Sequence, residues 1–109
     1  MSGFVRIAVK EPKKPWTFRD VVDVLDVYQK LVGGYIECFW SKNQISFFCN
    51  EDGKFMDLKY NFRFGNHDFI VGTVFAARID RYGEFTSLTD EDYEFFKQLN
   101  EKGFDYALQ

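Results

Sequence analysis

The residues able to do chemistry in this chain are few and scattered. His67 is the single histidine, and it stands between Asn66 and Asp68. That neighbourhood offers an imidazole that a carboxylate could orient as a general base. No serine or cysteine nucleophile accompanies it, so His67 reads as a solvated loop residue and no enzyme activity is expected. Cys38 and Cys49 lie in neighbouring strand-like runs. If those runs pair through a tight turn near Ser41-Lys42-Asn43, Cys38 falls opposite Ser46 or Phe47, and a disulfide is disfavoured by register. Both thiols are expected to be buried and reduced. Two cysteines and one histidine build no zinc site, so neither a metal nor a cofactor is expected.

Polar residues at turns offer binding chemistry instead. Asn50-Glu51-Asp52-Gly53-Lys54 puts an amide, two carboxylates and an ammonium on one turn, and Asn61 and Arg63 sit in an aromatic stretch with Tyr60 and Phe62. Asn50, Glu51, Lys54, Asn61 and Arg63 are therefore the candidate ligand-binding residues. An arginine among rings suits a nucleotide. Turn chemistry alone also explains the first group, since Asn and Asp bond their own backbone and Gly53 supplies positive φ. It is too short for a calcium loop. A surface strand with one solvent face explains the second group.

Charge is unevenly spread. Residues 1–19 carry +4, residues 20–83 carry −2 and residues 84–109 carry −5, in a chain of net charge −3. The acids Glu84, Asp90, Glu91, Asp92 and Glu94 are the candidate partner-binding residues, a face that imitates phosphates. Helix design accounts for them as well, because acids in a first turn complement the macrodipole. Lys10, Lys13, Lys14 and Arg19 form a basic segment that could touch anionic surfaces, although Pro12 and Pro15 make it look like a solvated connector.

Elements must position these groups. Phe4 to Lys10 alternates and predicts a strand, broken by residues 11–15 with their two prolines. Phe18, Val21, Val22, Leu25, Tyr28, Leu31 and Val32 recur at helical spacing, with Thr17 as N-cap and Gly33-Gly34 as the stop, which predicts a helix over 17–32. Residues 35–40 and 44–50 predict two strands with large apolar residues on both faces, hence central ones. Residues 55–65 are ambiguous. Asp68 to Asp80 predicts one long strand, with Gly72 marking a bulge or a close backbone approach, followed by a short return strand over 84–86. Thr89 caps a last helix over 90–102, with Asp92 at its third position and Gly103 at its end.

The chain has 109 residues, 46% hydrophobic and 20% aromatic, including 14 Phe. That suffices for one packed domain. The expected fold is α+β, a mostly antiparallel sheet from 4–10, 35–40, 44–50 and 69–80 with one helix on each face or the second at an edge. The acidic balance argues against a whole-chain nucleic-acid binder. The opening MSGFVRIAVK lacks an apolar run of signal-peptide length, and no stretch reaches the ~18 apolar residues of a membrane span. The many rings predict either a two-fold homodimer or a docking site for a partner.

Leu31-Val32-Gly33-Gly34-Tyr35-Ile36-Glu37, Asn50-Glu51-Asp52-Gly53-Lys54 with Asn61, Ile70-Val71-Gly72-Thr73 and the run from Gly83 to Asp92 follow one another in order. This pattern resembles a family of small uncharacterised proteins, a domain of unknown function, from bacteriophages, plasmids and other mobile elements. The chain departs from it near Leu58 to Arg63, where Tyr60 stands in place of a proline the family often shows. The resemblance implies a life in the bacterial cytoplasm and carries no agreed activity. Small proteins of such accessory regions include antagonists of host defence and inhibitors of CRISPR nucleases. The expectation is a protein that binds a bacterial host protein, with a defence nuclease as candidate, through its acidic surface. The alternative is a binder or sequestering protein for a small nucleotide signal.

Overall fold

The computed structural model describes residues 3–109. It is an α+β fold in three layers. β1 (Phe4–Lys10) turns back as β2 (Thr17–Val22), α1 (Leu25–Val32) follows, and β3 (Ile36–Lys42) and β4 (Ile45–Asn50) form a hairpin. Next come β5 (Tyr60–Phe64), β6 (Asp68–Val71), β7 (Val74–Ile79), the short β8 (Phe85–Thr86) and α2 (Asp90–Lys102), with a terminal 3-10 helix at Phe104–Leu108. The main sheet runs β2-β1-β7-β4-β3, antiparallel throughout, with β8 pairing the end of β7. β5 and β6 form a separate two-stranded sheet.

The pleat sorts the core into two halves. Ile7, Val9, Phe48, Phe75 and Ala77 face α1, meeting Tyr28 and Val32. Ala8, Ile45, Phe47, Val74 and Ala76 face the other way, toward Phe62 and Ile70 of the small sheet, Phe96 and Leu99 of α2, and Phe104. The two helices therefore cover opposite faces of the sheet, as expected.

Four expectations are corrected. The predicted helix over 17–32 is a strand followed by a short helix. Thr17–Val22 pairs residue for residue with β1, Phe4 opposite Val22 through Val9 opposite Thr17. The Thr, Phe and Val content of that segment suits a pleated surface. α1 starts only at Leu25, after an extended Val24 with no side-chain cap. The predicted long strand over 68–80 is two strands in two sheets, divided at Gly72. That residue has φ +75°, and a Cβ there would lie 2.8 Å from Leu58 Cδ1, which bears out the close approach. β4 is buried along its whole length, whereas β3, read as central, is an edge. Finally, Cys38 is exposed and stands opposite Phe48: the hairpin turns at Asn43-Gln44, both at positive φ, and a bulge between Cys38 and Trp40 shifts the register by one, away from Cys49. Both thiols are free, as expected, and Cys49 is buried. Burial pushes the Cys49 thiol up to about 11, so it is unreactive at neutral pH. No helix among the described residues is long and apolar enough to cross a membrane.

Candidate functional site

The five predicted ligand-binding residues fall into two clefts separated by the β5–β6 hairpin. Asn61 and Arg63 line the larger one, a cavity of about 600 Å³ between the β1–β2 connection, β5 and the C-terminal end of α2. Asn50, Glu51 and Lys54 line the other, of about 420 Å³, between β3, the turn after β4, and β6.

In the larger cleft five cations converge: Lys10, Lys13, Lys14, Arg63 and Lys102. Lys10 is placed by β1 strand alternation on the face opposite Val9, beneath the small sheet. Its Nζ donates to Asn61 Oδ1 at 2.6 Å and lies 5.8 Å from the centre of the Phe62 ring. Burial lowers its pKa below that of a free lysine, since no carboxylate compensates the lost water. Lys13 and Lys14 sit on the turn that Lys14 N–H closes by donating to Glu11 O at 3.1 Å. Lys13 occupies the left-handed region there, at φ +67°. Lys14 has Glu11 as a loose partner at 3.6 Å, while Lys10, Lys13 and Lys102 make no ion pair among the described residues. Lys102 instead rides 4.6 Å over the Tyr106 ring.

The one carboxylate in this cleft, Asp105, is already engaged. It accepts from Arg63 and from the Gly65 N–H, and the Arg63 guanidinium holds its carboxyl below the usual range. The mouth is braced by Asn100, whose Oδ1 accepts from the Trp16 N–H at 2.7 Å while its Nδ2 donates to Trp16 O at 3.2 Å. Trp16 and Phe62 floor the cleft, and Tyr60, 56% exposed, offers a ring at its rim. Chemically this is a positively charged pocket with aromatic surface beside it. The sequence signalled Lys10, Lys13 and Lys14 as a basic segment. Lys102 gave no signal, because only the α2 C-terminus brings it across the fold.

The two asparagines do structural work first. Asn61 Nδ2 donates to Lys10 O at 2.9 Å and Gly72 O at 2.7 Å, which stitches the small sheet to the large one. Asn50 Nδ2 donates to Val32 O at 3.0 Å at the end of α1, and its Oδ1 accepts from the Asp52 N–H at 2.8 Å. Both are buried. His67 is exposed in the β5–β6 turn.

The acidic set also divides. Glu84, Asp90, Glu91 and Glu94 are exposed, whereas Asp92 is buried. Its carboxylate accepts twice from Arg78, at 2.7 and 2.9 Å, and from the Thr89 N–H at 2.8 Å, completing a capping box with Thr89. Burial opposes its ionisation, but Arg78 and the Thr89 amide still hold the carboxyl below its ordinary value. Asp92 thus belongs to the core's framework and presents no charge to a partner.

Neither a curated protein nor a solved structure matches the chain. Residues 5–101, nearly all of the chain though short of Lys102 and Asp105 in the larger cleft, match the family described as a domain of unknown function (DUF3846), and the chain belongs to that family.

Proposed function

We propose that this chain binds an anionic, ring-bearing small molecule of the nucleotide class in the basic cleft. The observation that carries the reading is the convergence of five cations on one cavity of a chain whose net charge is −3. A cleft lined by one sign of charge focuses the field on a ligand of the other sign. Lys10, Lys13, Lys14 and Lys102 supply phosphate contacts, Arg63 is held rigid by Asp105, and Tyr60 offers a stacking face. A volume of about 600 Å³ suits a mononucleotide.

Calorimetry and thermal shift against a panel of nucleotides, with pyrophosphate and a nucleoside as controls, test this. A nucleotide is expected to bind more tightly than either control and to weaken with salt. Replacing the exposed Lys13, Lys14 and Lys102 together by alanine is expected to cost at least about tenfold in affinity with the fold intact. Lys10 contributes while protonated, so its share is lost as pH rises through a pKa below the ordinary 10.5. Absence of stabilisation by any ligand at large excess refutes the reading.

A second reading is favoured by Glu84, Asp90, Glu91 and Glu94, which are exposed and make no ion pair among the described residues. On that reading the chain is a phage or mobile-element accessory protein in the bacterial cytoplasm that docks its acidic face on a host protein, a defence nuclease being the candidate. Affinity capture from a bacterial lysate at low and high salt tests it. Capture that is lost when Asp90, Glu91 and Glu94 become lysines supports it, and capture indifferent to them removes it.

A further inference from the structure

The smaller cleft has the opposite chemistry. Its inner walls are Phe39 and Phe64, packed edge to face at 5.3 Å, and Phe69 and Phe55 stand nearer solvent. The Phe55 ring is 91% exposed at the rim, with almost nothing covering it. Glu37, Glu51 and Asp68 line the same space against the single ammonium of Lys54. Ring faces are electrically negative, and three carboxylates add to that field, so the cavity favours a cation.

A cation already tests the position. Lys54 Nζ lies 4.5 Å over the Phe69 ring and forms an ion pair with Asp68. Asp68 is held for that task, since its Oδ1 also accepts the Phe69 N–H at 2.7 Å. The Lys54 contact and that amide together hold its carboxyl below the ordinary carboxylate value. The Lys54 side chain is about half exposed, 47%, on a flexible stem, so it can leave the ring without disturbing the core. Among the described residues no group of three His, Cys, Asp or Glu is placed to hold a metal ion, which directs the choice to an organic cation.

We propose that this cleft binds a small organic cation of the quaternary ammonium type, with Lys54 as a tethered competitor for the place between Asp68 and Phe69. Methylated ammonium groups suit it because they are weakly hydrated and spread their charge over methyls that Phe55, Phe64 and Phe69 can cover. A free cation then displaces the Lys54 ammonium toward solvent, where it loses little.

Choline chloride titrated into isotope-labelled protein, against sodium chloride at matched ionic strength, tests the assignment by nuclear magnetic resonance. Saturable shifts are expected at amides of residues 37–39, 49–55 and 64–71 and not elsewhere. Lys54→Met keeps the stem and removes the charge, and is expected to tighten choline binding by about threefold or more. Phe69→Leu keeps apolar bulk without the ring and is expected to weaken it by a similar factor. Dispersed spectra of both variants confirm the fold, and either variant alone decides the question if the other fails to fold. Shifts no different from those with sodium chloride, or binding that Lys54→Met weakens or leaves unchanged, overturn the proposal.

Discussion

Arg78 and Asp92 form the most deeply placed ion pair among the described residues, with side chains 25% and 6% exposed. Arg78 reaches Asp92 from the sheet face that α2 covers, and the same carboxylate starts the helix. Removing one partner of such a pair strands the other. Arg78→Ala is therefore expected to destabilise the fold by about 3 kcal/mol, read as a lower midpoint in urea unfolding. Acid acts on the same contact. Because the Asp92 carboxyl is held below its ordinary 3.8, the unfolded chain takes up the proton first as pH falls. The stabilisation is complete above that ordinary value and is lost as pH drops through the lower, folded value. Unfolding followed by pH is expected to show this acid arm, and Asp92→Asn to flatten it. The capping box was legible in the sequence, since Thr89 and Asp92 are three residues apart. The pairing with Arg78 was not, because it depends on which sheet face α2 covers.

At the level of elements, α2 and β1 were legible to the residue, as was the stop of α1 at Gly33. Each has a local signal: alternation, a cap or a left-handed glycine. The segment Thr17–Val22 misled because Phe18, Val21, Val22 and Leu25 satisfy a helical period while a six-residue pairing with β1 decides otherwise. Partner strands are not visible from within a segment. The turn before β2 holds Lys13 at φ +67°, a conformation costing a non-glycine residue about 1 kcal/mol. Lys13→Gly relieves that strain but loosens the unfolded chain. It is expected to leave the thermal midpoint unchanged or slightly raised while weakening nucleotide binding. A matched fall in stability and affinity would instead make Lys13 a structural residue.

For the whole molecule, the aromatic surplus that suggested a dimer is largely absorbed within the chain. Phe75 and Phe104 are buried, and Phe85 and Phe95 are half-buried against the two halves of the core. Tyr28 of α1 covers Phe75 and Phe85 on one face of the main sheet, while on the other the small sheet and the terminal 3-10 helix, neither of them legible in the sequence, close over Phe39 and Phe47. Sedimentation at micromolar concentration is therefore expected to give a mass near 12.9 kDa, and twice that mass would return the exposed rings to a two-fold interface. The layer order also explains why the sequence could separate the candidate residues into two groups but not assign each a cavity: only the β5–β6 hairpin divides them into a basic and an acidic cleft. That hairpin is joined to the main sheet through side chains, Asn61 foremost, and shares no strand ladder with it. Phe62 and Ile70 still anchor it in the core, so it is expected to open locally at lower free energy than the larger sheet. Its amide protons are expected to exchange with deuterium sooner than those of β4 and β7. An anion bridging Lys10 and Arg63, or a cation seated on Asp68, would slow that exchange from opposite sides, so one strand pair would register the occupancy of both clefts.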